Sequence, residues 1–197
     1  MKAPLLPSPG VPASFVDELR KIVDAESVLT SHSELVVFEC DGFVIDKNCP
    51  DVVVFPRTTE QVAAIVRLCN AAGISYLPRG AGTSLAGGCL PVGGGVMIVL
   101  TRMKEILEIN LRDRYAVVQP GVVNVWLTNA LKGTDYHYAP DPSSQGACTI
   151  GGNVATPHKL RCIAIGGPAL EGQVDRNIGM VPEKHLPSIQ SVIVRGN

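Results

Sequence analysis

The chain has 197 residues, a formal net charge of −1 and 46% hydrophobic residues, enough for one ordinary domain or two small lobes with an adequate core. Balanced charge without a basic block argues against nucleic acid or anionic membrane surfaces as partners. No segment approaches the roughly 20 apolar residues of a membrane span, and Lys2 is not followed by a long apolar run, so a cytoplasmic protein without a transmembrane segment is expected.

Residues 1–12 are a Pro-rich opening, and a helix is predicted at about 15–25, with Phe15, Leu19, Ile22 and Val23 on one face. Ser14 and Asp17 stand at capping-box spacing before it, and residues 1–37 together read as a helical leader. Residues 51–55 predict a strand halted by Pro56. Thr58 and Gln61 form a second capping pair, ahead of a stripe of Val62, Ile65, Val66 and Cys69 that ends at Gly73. Strands are predicted at 74–78 and 96–100, on either side of a glycine-rich loop. Two more, at 106–110 and 115–119, flank an Arg112-Asp113-Arg114 turn. A third helix is predicted at 122–131, with Trp126 as a core anchor. Strands and helices do not alternate regularly, so the class is α+β, not a doubly wound sheet.

The loop after the 74–78 strand reads Arg79-Gly80-Ala81-Gly82-Thr83-Ser84-Leu85-Ala86-Gly87-Gly88. Small residues let its backbone N–H groups approach a ligand closely, and successive N–H groups form a concavity suited to phosphate oxygens. Thr83 and Ser84 add hydroxyls, and Arg79 adds a positive charge that could meet a phosphate or a carboxylate. A nicotinamide-binding loop would need a third glycine where Leu85 stands and a helix, not a strand, to follow. Taken alone, the segment is as readily a connector between strands. A second loop, residues 140–153, reads Pro-Asp-Pro-Ser-Ser-Gln-Gly-Ala-Cys-Thr-Ile-Gly-Gly-Asn and is equally rich in hydroxyls and glycines. Two such loops suggest two lips of one diphosphate site.

The segments Phe38-Glu39-Cys40-Asp41-Gly42, Val54-Phe55-Pro56-Arg57-Thr58-Thr59-Glu60-Gln61-Val62, the Arg79 loop, Val118-Gln119-Pro120-Gly121 and the 140–153 run occur in that order. Together they resemble the PCMH-type FAD-binding domain of the vanillyl-alcohol-oxidase superfamily, and within it the glycolate oxidase subunit and D-lactate dehydrogenase branch. The likeness covers residues 38–155 and implies two α/β subdomains with FAD between them, divided somewhere in residues 75–91. Loop chemistry and resemblance together assign cofactor contacts to Pro78, Arg79, Gly80, Ala81, Gly82, Thr83, Ser84, Gly87 and Gly88. They add Pro120 and Gly121, then Pro140, Asp141, Pro142, Ser143, Ser144, Gly146, Ala147, Thr149, Ile150, Gly151, Gly152, Asn153 and Ala155. Thr83 stands where some superfamily members carry a histidine bonded to the flavin, so non-covalent FAD is implied.

No catalytic residue and no metal site are assigned. His137, between two tyrosines, reads as structural; His32, His158 and His185 have no catalytic context; Asp141 between prolines reads as a turn-former. The six cysteines show neither a C-x-x-C pair nor metal-ligand spacing and read as small buried hydrophobes, with Cys148 in the second loop the one to watch.

After Ala155 the family pattern, Glu-Asn-x-Gly-Gly, is replaced by Thr156-Pro157-His158-Lys159-Leu160-Arg161-Cys162. Residues 156–197 read as a divergent segment of a truncated member without the substrate-capping domain, a frameshift near residue 156 being one origin. The resemblance implies an FAD-dependent dehydrogenase or oxidase of a small 2-hydroxy acid, such as glycolate or D-lactate, with partner subunits for electron transfer possible in the family. This chain alone is expected to be inactive. A non-catalytic flavin-binding or merely folded remnant stays open, and a cell-wall precursor reductase is disfavoured by the Pro-Asp-Pro-Ser-Ser run.

Overall fold

The computed structural model describes residues 10–42, 44–138, 140, 142–155, 165–166 and 192–195. The chain divides into two compact units, Met1–Arg102 and Met103–Asn197. The division therefore falls after Arg102, not within residues 75–91 as the sequence suggested. The physical reason is strand pairing: the glycine-rich loop joins two neighbouring strands of one sheet, so both of its ends belong to the same unit.

In the first unit, α1 (Ala13–Ile22) is followed by the short strand β1 (Val28–Leu29) and a helical turn, α2 (His32–Leu35). Then come β2 (Val52–Val54), α3 (Thr59–Ala72), β3 (Tyr76–Arg79) and β4 (Val96–Val99). The sheet order is β1-β2-β4-β3. β4 lies parallel between β2 and β3, and β1 pairs antiparallel to β2.

Alternation along the strands divides the core in two. Val52, Val54, Val96 and Ile98 pack with Phe15, Val16 and Leu19 of α1 and Ile65 and Cys69 of α3. Val53, Met97 and Val99 face the other way and pack with Leu35, supported by Leu29, Phe38, Cys49 and Phe55. The strands read as continuous apolar runs because both faces are covered. Each fully buried aliphatic side chain contributes about 1.5–3 kcal/mol.

α3 starts as its sequence predicts. The Gln61 N–H donates to Thr58 Oγ1 at 3.3 Å, and the Thr58 N–H donates back to Gln61 Oε1 at 3.3 Å. The Gln61 amide also donates to the Ile22 carbonyl at 3.1 Å, tying the start of α3 to the end of α1. Gly73 closes α3 in the left-handed conformation, φ 64°. α1 departs from expectation: its N-cap is Pro12 with no side-chain cap, and it ends at Ile22, so Ser14 lies inside the helix. Its buried face belongs to the first core, so residues 13–22 pack as part of the unit.

The second unit holds the antiparallel pair β5 (Ile106–Asn110) and β6 (Tyr115–Val118), then α4 (Asn124–Ala130), β7 (His137–Tyr138) and α5 (Ile150–Ala155). β7 pairs with β8 (Ile165–Gly166), and β6 pairs with β9 (Val192–Arg195). Arg114 takes φ 55° in the β5–β6 turn. Ala116, Val118, Val122, Leu127, Leu131, Tyr138 and Ile150 form the core. Trp126 does not anchor it: the indole is 43% exposed, and the inward positions of α4 are Asn124 and Leu127. Trp126 lies on the outward face of α4, one position before the buried Leu127. α5 was not foreseen, since Ile-Gly-Gly-Asn reads as loop by propensity.

Candidate functional site: two glycine-rich loops

The first loop leaves β3 at Arg79 and returns to β4 through Gly93-Gly94-Gly95. The return is tightly fixed. Asp51 Oδ2 accepts the Gly95 N–H at 2.6 Å, and the Gly95 carbonyl accepts the Asp51 and Val52 amides. A side chain at Gly95 would overlap the Ser75 carbonyl.

The sequence left Arg79 open to a phosphate or a carboxylate; the structure turns it inward. Arg79 is 8% exposed. Its Nη2 donates to the Cys40 carbonyl at 2.9 Å, its Nη1 lies 3.4 Å from Cys89 Sγ, and its Cζ stands 5.7 Å from the Phe38 ring centroid. Gly82 closes over the guanidinium with φ 71°, and a Cβ there would overlap Nη2. That position requires glycine on both counts. Ser84 Oγ accepts the Ala86 N–H at 3.2 Å, and Asp41 Oδ2 accepts the Gly87 N–H at 3.1 Å. Among the described residues, no acceptor engages the amides of Gly82, Thr83, Ser84 or Leu85. Gly82, Thr83 and Ser84 are half-buried, while Pro78, Ala81 and Gly88 are exposed and Gly80 and Gly87 are partly covered. A run of unengaged donors on a side-chain-poor loop can serve the oxygens of a diphosphate.

The second loop lies wholly within its own unit. Val123 and Thr149 form an isolated antiparallel bridge. The Gly151 N–H donates to the Pro120 carbonyl at 2.9 Å, and a Cβ at Gly151 would come within 2.8 Å of Pro120 Cβ. Pro120 and Gly121 are thereby brought against Thr149, Ile150 and Gly151; Gly121 itself donates to the Met103 carbonyl at 2.7 Å. Pro142 and Ser144 carbonyls accept the amides of Gln145, Ala147 and Cys148, folding residues 142–148 into successive turns. Thr149 Oγ1 accepts the Gly152 N–H at 3.3 Å. Pro140 is buried, Ser143, Gly146, Ala147 and Ala155 are exposed, and Asp141 lies outside the described residues.

Beneath this loop are buried polar groups of Asn124, Tyr138 and Asn153, of which the sequence reading passed over Asn124 and Tyr138. Asn124 Nδ2 donates to the Pro140 carbonyl at 3.0 Å, but Asn124 Oδ1 has no hydrogen-bond partner among the described residues. The same holds for the Tyr138 hydroxyl and Asn153 Nδ2. Tyr138 is 3% exposed and Asn153 7%. Burial pushes the Tyr138 hydroxyl up to about 12, and the Asn153 side chain opposes that rise. Buried polar atoms are normally paired, so three orphans in one small unit mark capacity for a polar ligand or ordered water. Asn124 could have been found in the sequence as the one amide in the apolar run Val122-Val123-Asn124-Val125. Tyr138 carried no signal beyond its place before Pro140.

The described cysteines, Cys40, Cys49, Cys69, Cys89 and Cys148, are free thiols, and Cys162 lies outside the described residues. Burial pushes Cys69 up to about 11 and raises Cys49 and Cys89, so these three are held as thiols and not as reactive thiolates. His137 is exposed on β7 and His32 lies on α2; His158 and His185 fall outside the described residues. Among the described residues, no group of three His, Cys, Asp or Glu could hold a metal ion, and no helix is long and apolar enough to cross a membrane.

Residues 50–164, more than half of the chain, match the model of the FAD binding domain family. The chain belongs to that family. It is 47% identical over 142 residues to the glycolate oxidase subunit GlcD of Escherichia coli (strain K12), covering 72% of this chain and 28% of that protein. It is 40% identical over 126 residues to the D-lactate dehydrogenase of Anaerostipes hadrus, covering 64% of this chain and 25% of that protein. Among solved structures, alkyldihydroxyacetonephosphate synthase superposes with a TM-score of 0.68 at 25% identity, over 77% of this chain and 30% of that one. The chain thus spans under a third of the length of these relatives. The expected α+β, PCMH-type FAD-binding fold is borne out, and so is FAD as the cofactor. The unengaged amides of the first loop and the orphaned polar atoms beneath the second fit such a ligand.

Proposed function

We propose that this chain is the FAD-binding domain of an FAD-linked oxidoreductase that oxidises a small 2-hydroxy acid, glycolate or D-lactate. The observation that carries the reading is the run of unengaged amides at residues 82–85 in a chain 47% identical to a glycolate oxidase subunit. In the first unit the Gly82–Leu85 amides bind phosphate oxygens, with Thr83 and Ser84 adding hydroxyl donors; the second unit has its own set of polar groups in Thr149, Asn153 and the neighbouring backbone. Tyr138 and Asn124 join that set through their orphaned atoms. Thr83 has no ring nitrogen to bond a flavin, so binding is non-covalent. When bound, FAD supplies the two-electron acceptor for the carbinol carbon of the substrate. The chain's own contribution is to hold and orient it, since positioning is worth up to roughly 7–11 kcal/mol of a barrier. The reading includes a cytoplasmic location and electron transfer through partner subunits.

A chimera tests it. The matching 142-residue stretch of the E. coli subunit is replaced by that of this chain, and FAD content and dye-linked glycolate and D-lactate oxidation are measured. Retained FAD with oxidation of either acid supports the proposal. A folded chimera without FAD, or one that loads FAD and oxidises neither acid, contradicts it.

A further inference from the structure

The residues beneath the first loop form a structure of their own. Arg79 and Asp41 are both buried, at 8% and 5% exposure; Arg79 reaches into the short segment around Cys40, and Asp41 reaches out of that segment to the loop. Arg79 sits where the loop leaves β3 and donates to the Cys40 carbonyl at 2.9 Å. Asp41 accepts the Gly87 N–H at 3.1 Å, near the loop's far end. Cys89 stands between them, 3.4 Å from Arg79 Nη1 and 3.9 Å from Asp41 Oδ2. Gly42 completes the contact: a Cβ there would come within 2.9 Å of the Ser84 carbonyl and 3.2 Å of the Thr83 carbonyl. Both ends and the middle of the loop are therefore fastened to residues 40–42, about forty residues earlier in the chain.

Buried charges are costly, and hydrophobic replacements are often as stable or more so, so their presence calls for a role other than stability. The loop explains the role. A segment with four glycines loses much conformational entropy on being ordered, and a loop ordered before its ligand arrives does not lose that free energy from binding. We infer that Arg79 and Asp41 are positioning residues, a clasp that pre-forms the Gly80–Gly88 loop from beneath so that its amides are aimed before FAD binds. The inference rests on the reading that this loop holds the FAD diphosphate. It assigns Arg79 a task different from direct contact with a phosphate.

Charge and position make opposite predictions here. Removing a carboxylate near a diphosphate site should tighten FAD if only electrostatics counts, and should weaken it if the carboxylate holds Gly87. The test uses the full 197-residue chain, with FAD affinity from flavin fluorescence and hydrogen exchange of the loop amides measured without FAD. Asp41→Ala should weaken FAD at least tenfold and speed exchange of the Gly87 amide at least tenfold, leaving α3 amides unchanged. Asp41→Asn keeps an acceptor oxygen and should recover most of both losses. Arg79→Lys keeps the charge but cannot span Cys40 and Cys89, so it should lose affinity as Arg79→Gln does. Unchanged or tighter FAD binding by Asp41→Ala, or full rescue by Arg79→Lys, would overturn the clasp. If Asp41→Ala does not fold, the Arg79→Lys and Arg79→Gln comparison decides it. If the wild-type chain binds no FAD, the functional reading fails, while the exchange data still decide whether the clasp orders the loop.

Discussion

The two glycine-rich loops are held in contrasting ways. The first is fastened to a distant segment by two buried side chains, Arg79 at its own start and Asp41 in that segment, and leaves its central amides unengaged. The second is fastened mainly by its own backbone, through turns at 142–148, the Val123–Thr149 bridge and the Gly151–Pro120 hydrogen bond, and leaves side-chain atoms unengaged. Similar composition has produced one loop suited to offering main-chain donors and another suited to offering amide and phenol groups. Glycine content marks where backbone comes close to something; what it comes close to depends on the residues beneath.

Substitutions that add a Cβ should separate the loops most clearly. Gly82→Val places a branched side chain at φ 71°, into the Arg79 guanidinium. Strain and overpacking together should cost about 2–5 kcal/mol, and FAD affinity should fall at least a hundredfold, read by urea unfolding and flavin fluorescence. A variant with wild-type affinity would reduce this loop to a connector. Gly151→Ala meets Pro120 at 2.8 Å without the unfavourable φ, so it should cost about 1–3 kcal/mol and weaken FAD less. Equal effects at the two glycines would erase the contrast.

A smaller change addresses the orphaned atoms. Tyr138→Phe deletes a buried hydroxyl with no partner among the described residues, so stability should hold or rise by up to about 1–2 kcal/mol, while FAD affinity falls three- to tenfold. Lower stability with unaltered affinity would show that the hydroxyl serves the fold through an ordered water.

The mildest effect is a pH dependence in the first unit. Cys69 is held up to about 11 against an ordinary thiol value of 9.0. A raised folded value means that the protein favours the thiol, so its stabilisation is complete below about pH 9 and declines through pH 11, by no more than about 2–3 kcal/mol. Denaturation midpoints of the wild type and Cys69→Ala should converge between those pH values. Parallel profiles would contradict the burial argument.

Much of this was legible in the residues themselves. Thr58 and Gln61 announced the start of α3 and Gly73 its end, because caps are local interactions written in a few adjacent positions. The alternation of Val52 to Val54 and Val96 to Val99 could be seen as strands but not assigned to faces, since both faces are covered. β1 and α2 were missed because elements of two and four residues have no period to detect. The sequence left the partner of Arg79 open, and its Cys40 contact could not be foreseen: Cys40 lies 39 positions away, and long-range partners leave no mark in spacing. The division after Arg102 was missed for a related reason, since only the parallel pairing of β3 with β4 shows that the loop lies inside one unit.

The most direct test is equilibrium titration of the purified chain with FAD, FMN and NAD, followed by flavin fluorescence and calorimetry. A diphosphate cradle without the third glycine and helix of a nicotinamide site should bind one FAD per chain, at least tenfold tighter than FMN or NAD. NAD binding more tightly than FAD, or a folded chain that binds no flavin, would contradict it.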